Sequence, residues 1–301
     1  MATRPILTTL KTTASNNHMV CIHPGALKAS CYETLASKID ANLHVIDLQM
    51  IQAYLFAALD PTVKTSVEEI AEICRVEILK LDLPQGWMLA GWSFGGVISF
   101  EVASRLRENG SEPRTLVLLD SIAPVPRYKL DPVKVKNSIS VALKWFVMYM
   151  GAHRGKPIQI KGRHLKGAPR EILLKRVLQA SIDSGTLPPR TEYGGIKKLV
   201  DSFVAGLERN NNLTIPYFPK KYPGQIVLFR AHRGLLRTWF DFNLGWSALT
   251  TQKVIRHRTP GDHYSMLTDT QHAEQLACAL EKMIKNQNTK PATSLQVQVS
   301  H

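Results

Sequence analysis

Gly91-Trp92-Ser93-Phe94-Gly95, with Gly96 directly after it, places a serine between glycines in the pattern GxSxG. A hydroxyl becomes a strong nucleophile only when a base takes its proton, and the base needs an acid to hold it in one tautomer. The chemistry such a pattern points to is covalent acyl transfer through the Ser93 oxygen, on a sharp strand-to-helix turn that lifts the hydroxyl clear of the sheet. Glycine two before and two after the serine suits that turn, because strand and helix must approach closely there. At the head of the helix, free N–H groups and the dipole favour negative charge. A phosphate-binding or packing turn would also use glycines, but no Walker lysine follows and there is no GxGxxG.

In this architecture the chain order is Ser, acid, His. The base is expected at His263, in Pro260-Gly261-Asp262-His263-Tyr264, after the last expected strand. His232, at a strand end, is the runner-up. His257 lies within a strand pattern and His272 opens the last helix. The acid is expected at Asp120, which closes the apolar run 114–120 at the carboxyl edge of the sheet, where parallel sheets carry their active residues. Asp241 and Asp262 are alternatives, Asp241 also reading as a loop anchor, and Asp120 itself could be a turn cap. An oxyanion needs two backbone N–H donors. One is expected from Phe94. The other is expected from the turn His23-Pro24-Gly25-Ala26, with Gly25 first and Ala26 second, since Pro24 has no N–H. His23 would be a rival base, but the Ser–acid–His order leaves it the task of orienting the turn.

Positioning these groups requires a sheet. Short apolar runs at 18–23, 43–48, 87–92, 114–120, 225–231 and 253–259 read as strands, several too uniformly apolar to have a wet face. Between them lie helical patterns at 31–39, from the capping box Ser66-x-x-Glu69 to about Leu83, from Phe94 to Asn109 with Gly110 as stop, and at 271–285. Strand–helix alternation predicts an α/β fold, a mostly parallel sheet with helices on both faces. The core is expected at 18–124 and 223–286. Residues 125–222 break the alternation with three helical stretches (132–150, 169–184, 193–210), a helical lid insertion between two strands. Its first helix is notably apolar. There Trp145 and Met148 either line a substrate groove or pack on the sheet.

The composition is globular: 44% of the 301 residues are hydrophobic and 21% charged, which excludes global disorder. No apolar run is long enough to span a membrane. Four cysteines without CxxC indicate neither a disulfide framework nor a zinc site, and suit a reducing, cytoplasmic setting. The net charge of +14 is uneven, with residues 125–222 alone carrying +13. A basic segment can meet an acidic protein or a phosphorylated ligand, can bind nucleic acid, or can be a solvated surface. Residues 1–17 read as a flexible N-terminal extension, although a transit peptide has similar composition. Residues 287–301 read as a disordered tail.

Taken together, GWSFGGVISFEVASRLRENG around Ser93, IHPGALKASCYETLA near the start, LVLLDS at Asp120, LFRAHRG with GWSAL, and PGDHYSML at His263 resemble the thioesterase domains of nonribosomal peptide and polyketide synthases, within the α/β-hydrolase superfamily. The resemblance runs over roughly residues 18–286. It implies a Ser93–Asp120–His263 triad. Asp120 is placed as in the synthase-terminal type, whereas editing thioesterases usually put the acid after a later strand. The oxyanion turn departs from the family pattern, which often carries more glycine after His-Pro where Ala26-Leu27-Lys28 stand here. The resemblance further implies an acyl or peptidyl chain delivered on the phosphopantetheine arm of a carrier protein, expected to be acidic and to dock near the basic insertion. Release would be by hydrolysis or cyclisation, with no cofactor or metal, and neither nucleic acid nor membrane is expected as a partner. The chain begins with Met and shows no carrier-protein motif, so it would act in trans or be cut from something larger. An editing thioesterase or a small-molecule carboxylesterase acting in trans is the alternative.

Overall fold

Successive side chains along each central strand leave on opposite faces, so a strand buried on both faces must be apolar throughout. That is how these runs are used. In the computed structural model, which describes residues 5–60, 62–128, 139–234 and 241–288, the strands are β1 (Leu7–Lys11), β2 (His18–His23), β3 (Asn42–Asp47), β4 (Met88–Trp92), β5 (Thr115–Leu119), β6 (Ile226–Arg233) and β7 (Ile255–Asp262). They form one sheet in the order β1-β3-β2-β4-β5-β6-β7. All neighbours run parallel except β1, which is antiparallel to β3. The helices among the described residues are α1 (Glu33–Lys38), α2 (Gln52–Phe56), α3 (Val67–Leu79), α4 (Phe94–Glu108), α5 (Ile139–Arg154), α6 (Arg170–Asp183), α7 (Tyr193–Thr214), α8 (Ser265–Thr268) and α9 (Thr270–Asn288).

Two cores follow from the pleat. Val20, Ile22, Leu89, Leu116 and Leu228 face α3 and α4. Their neighbours Met19, Cys21, Met88, Val117 and Val227 face α1 and α9. The Ser66 capping box opens α3 with both reciprocal hydrogen bonds made. A third cluster belongs to the segment between β5 and β6, where Leu143, Phe146, Leu173, Leu174, Val177, Ile196 and Val200 join α5, α6 and α7.

Three features differ from the sequence reading. The stretch expected to be a flexible extension contains an ordered edge strand. Leu7, Thr8 and Thr9 pair with Ile46, Val45 and His44, and β3 supplies the backbone partners that the sequence of 1–17 alone does not reveal. The last strand continues past its expected end at residue 259 through Pro260 to Asp262. Proline breaks a central strand but is tolerated at an edge, and β7 is the edge. The register also shifts between Ala231 and Arg233 opposite it. Finally, the first insertion helix is described from Ile139. Its expected start at 132 lies outside the described residues, as do 289–301 of the expected tail.

What positions the site is the approach of α4 to the sheet. A Cβ on Gly95 would lie 2.1 Å from the Ile22 carbonyl oxygen, and one on Gly91 would lie 2.4 Å from the Gly95 oxygen. Both obstacles are backbone. Gly194, in the first turn of α7, has nothing within 4 Å of an added Cβ. Gly95→Ala is therefore expected to destabilise the fold by about 2 kcal/mol or more in urea denaturation, whereas Gly194→Ala is neutral or gains up to about 1 kcal/mol. Equal effects of the two would remove close packing as the reason for Gly95.

Candidate active site

Ser93 sits between β4 and α4 with φ 56° and ψ −126°, a conformation foreign to side-chain-bearing residues. Such a backbone costs about 1–3 kcal/mol and persists only where its surroundings enforce it. Here the Ser93 N–H donates to the Leu119 carbonyl at 3.0 Å and the Gly96 N–H donates to the Ser93 carbonyl at 3.0 Å. The Ser93 hydroxyl does not cap the helix it precedes, so it is not consumed structurally.

Asp120 follows β5, one strand over, also at positive φ (43°). Its carboxylate is 3% exposed and must be satisfied inside the protein. Oδ1 accepts the Ala231 N–H at 3.0 Å, and Oδ2 accepts Nδ1–H of His263 at 2.8 Å. A carboxylate oxygen only accepts, so this bond puts a proton on Nδ1 and leaves Nε2 of a neutral His263 as the basic nitrogen. His263 comes directly off β7 and is 2% exposed. It is held beside the serine turn through Trp92, whose indole N–H donates to the His263 carbonyl at 3.0 Å and whose ring stacks on the imidazole at 5.1 Å. Among the described residues no hydrogen bond joins the Ser93 hydroxyl to His263. Such bonds are often long without substrate and tighten in the complex.

The turn after β2 lies against the same apparatus. The His23 ring stacks on Trp92 at 5.6 Å. Its Nε2–H donates to the Leu27 carbonyl at 2.7 Å, bridging the turn. Gly25 has φ +79°, and a Cβ there would lie 1.9 Å from Cγ of Gln49, so this position demands glycine. Ala26 is half-buried beside it. Phe94 is the first residue of α4, where backbone N–H groups lack intrahelical acceptors. The arrangement thus supplies a serine at a helix head, a buried carboxylate–imidazole pair, and candidate N–H donors on the two sides of the turn.

The remaining candidates have other partners. Asp241 accepts from the Tyr128 hydroxyl at 3.0 Å and from the Asn243 N–H at 3.0 Å, anchoring its loop. Asp262 accepts from the Tyr264 and Ser265 N–H groups at the start of α8. His257 stacks on Phe229, His232 is exposed, and His272 faces Asp269. Met148 packs against the cluster that contains Trp92 and Tyr264. Trp145 is half-buried on the same helix and joins none of the three clusters. No group of three or more His, Cys, Asp or Glu side chains among the described residues is placed to hold a metal ion, and no described helix is long and apolar enough to cross a membrane.

Sequence reasoning missed the aromatic bridging. Tyr264 stands edge-on to Trp92, His263 and Tyr149, and Tyr149 stacks on Phe203 at 5.2 Å. This chain of rings ties α5 and α7 to the residue next to His263. The available signal was the aromatic pair Trp92 and Tyr264 flanking the two candidate residues.

Residues 17–138 match the family model described as Thioesterase domain. The chain is 36% identical over 276 residues to the nonribosomal peptide synthetase atqA of Aspergillus terreus (strain NIH 2624 / FGSC A1156), over 82% of this chain and 25% of that protein. It is 24% identical over 217 residues to the non-reducing polyketide synthase PFUR17_0229 of Pseudevernia furfuracea, over 67% of this chain and 9% of that protein. The chain therefore spans no more than 25% of the length of either relative. Among solved structures, the four-domain nonribosomal peptide synthetase holo-AB3403 bound to AMP and glycine is similar with TM-score 0.64 and 23% identity, over 92% of this chain and 20% of that one. The NocB thioesterase domain, in covalent complex with a fluorophosphonate nocardicin G analogue, gives 0.55 and 22%, over 92% and 99%. The α/β-hydrolase fold is shared with both.

Burial holds His23 below the usual imidazole range, against the opposing pull of the Leu27 carbonyl and the Asp47 carboxylate. Its Nδ1 has no hydrogen-bond partner, so a second ring proton would be stranded. A depressed folded pKa means stability that is whole above the unfolded value of about 6.5 and is lost as pH falls through the folded one. The stability difference between pH 7.5 and pH 5 in urea titrations is expected to shrink in His23→Gln. An unchanged difference would assign acid sensitivity elsewhere, for instance to His18 and His44, which burial also lowers.

Proposed function

The chain carries a thioesterase domain of the nonribosomal peptide and polyketide synthase type, and on that premise we propose that Ser93 releases an acyl or peptidyl chain from the phosphopantetheine thioester of a carrier protein. The observation that carries this reading is the buried 2.8 Å Asp120–His263 hydrogen bond beside a serine at a strained helix head.

Ser93 Oγ attacks the thioester carbonyl as its proton passes to Nε2 of His263. The imidazolium that forms is balanced by Asp120. The carbonyl oxygen becomes an oxyanion and is met by the N–H groups of Phe94 and of Gly25 or Ala26. The C–S bond then breaks, His263 returns its proton to the leaving thiolate, and an ester on Ser93 remains. Water, activated by the same histidine, gives a free acid. A nucleophile within the chain gives a ring. Covalent transfer through serine and histidine needs no metal or organic cofactor, and four unpaired cysteines suit a cytoplasmic setting.

The insertion between β5 and β6 acts as lid and docking face in this reading. Trp145, outside the packed clusters, lines the acyl path, while Met148 is taken up by packing. The net +13 over residues 125–222 steers an acidic carrier and the phosphate of its arm.

Two experiments test this. Incubation with an acyl-pantetheine thioester is expected to give an intact-mass adduct on Ser93. Ser93→Ala abolishes the adduct, and Asp120→Asn lowers kcat by about 10⁴-fold. Good turnover of simple esters without a thioester adduct would favour an esterase instead. For docking, Lys161, Arg163 and Lys166 are exposed and lie on the insertion. Changing all three to Glu is expected to raise KM for a carrier-bound substrate by about tenfold at low salt. Turnover of a free pantetheine thioester stays as it was. An unaltered KM would remove electrostatic docking at this face.

A further inference from the structure

Arg209, on α7, is 7% exposed, yet no carboxylate lies within ion-pair distance of it among the described residues. A guanidinium in that position is costly unless its N–H groups are used. Three of them are used, two on Tyr54. Nη2–H donates to the Tyr54 hydroxyl at 2.7 Å, and Nη1–H donates to the Tyr54 carbonyl at 3.4 Å. The guanidinium lies 3.6 Å over the Tyr54 ring. Nε–H completes the set on the Asn210 side-chain oxygen at 3.1 Å.

Tyr54, on α2, is fully buried. Its single hydroxyl proton is shared between the Pro24 carbonyl at 3.1 Å and Asn210 Oδ1 at 2.9 Å. The Pro24 carbonyl and the Gly25 N–H belong to one peptide unit, so fixing the oxygen fixes the direction of the N–H. The Tyr54 ring stacks on Phe94 at 5.9 Å with 9° between the planes, and Phe94 opens α4. One side chain therefore bonds the peptide unit that carries the Gly25 N–H and stacks on the residue that carries the other candidate donor. The cation on Tyr54 Oη makes that hydroxyl a stronger donor to Pro24, and a polarised Pro24 carbonyl makes the Gly25 N–H a stronger donor in turn.

We infer that Tyr54, held by the buried guanidinium of Arg209, is a positioning residue that sets the direction and strength of the oxyanion donors at Gly25 and Phe94. The inference rests on the reading of Ser93 as an acyl-transfer nucleophile. It also makes the insertion part of the catalytic apparatus, since α7 brings Arg209 to α2 and the turn after β2.

Tyr54→Phe keeps the ring and its stack on Phe94 and removes only the hydroxyl. With an acyl-pantetheine thioester, kcat is expected to fall by about 10- to 100-fold, less than or near the loss of a direct donor, with KM within about twofold. Affinity for a trifluoromethyl ketone analogue, which forms a tetrahedral oxyanion on serine, should fall by the same factor as kcat. Affinity for the unreactive thioether analogue should hold. Arg209→Lys, which keeps the charge but loses the planar fork, should show the same signature at smaller size, and it carries the test should Tyr54→Phe not fold. An unchanged kcat in an active protein overturns this inference alone, as does a parallel loss of affinity for ketone and thioether. A wild-type protein that neither turns over the thioester nor forms a Ser93 adduct overturns the thioesterase reading, and this inference with it.

Discussion

A carboxylate taken out of water must find donors inside the protein or give up its charge. Asp120 finds them from two neighbouring strands: the Ala231 N–H on β6 and the imidazole of His263 just beyond β7. Together the two contacts require β5, β6 and β7 to lie side by side and parallel. They also require Asp120 to leave β5 at positive φ. The same carboxylate that orients an imidazole therefore locks three consecutive strands at their carboxyl edge. Loss of the sheet order there would leave a buried charge and an unoriented ring together.

Trp92 extends that constraint across the sheet. It is fully buried, stacked by His23 and by His263, and it donates to the His263 backbone. An aromatic residue just before Ser93 thus joins the turn after β2 to the loop after β7. From Tyr264 the contact passes through Tyr149 to Phe203. The insertion meets the core a second time through Arg209 and Tyr54. Its helices hold to one another by their own cluster and to the site by these two aromatic anchors.

The elements were legible where one local rule dominated. Continuous apolar runs gave β2, β4 and β5, because strands covered on both faces have no polar alternative. The glycines around Ser93 were legible because the close approach to Ile22 and Gly95 admits nothing larger. The partnership of Asp120 and His263 was reached from chain order and family resemblance, while its geometry depends on β6 lying between β5 and β7, an order that no local pattern supplies. β1 was missed because five residues of mixed polarity become a strand only when β3 offers its edge. β7 was cut short at Pro260 because a rule for central strands does not hold at an edge. Arg209 was counted among the cations of a basic segment. Nothing in its neighbours Glu208 and Asn210 announces a guanidinium turned inward onto Tyr54.

Pro260 has a consequence beyond the placement of His263. An outermost strand offers its unpaired amides as a template on which a strand of another molecule can add. β7 interrupts its own row with a residue that has no amide hydrogen, close to where the register slips against β6. The border nearest His263 is thereby made a poor seed for intermolecular sheet growth, and the loop that carries the imidazole is spared from being drawn into a neighbour's ladder.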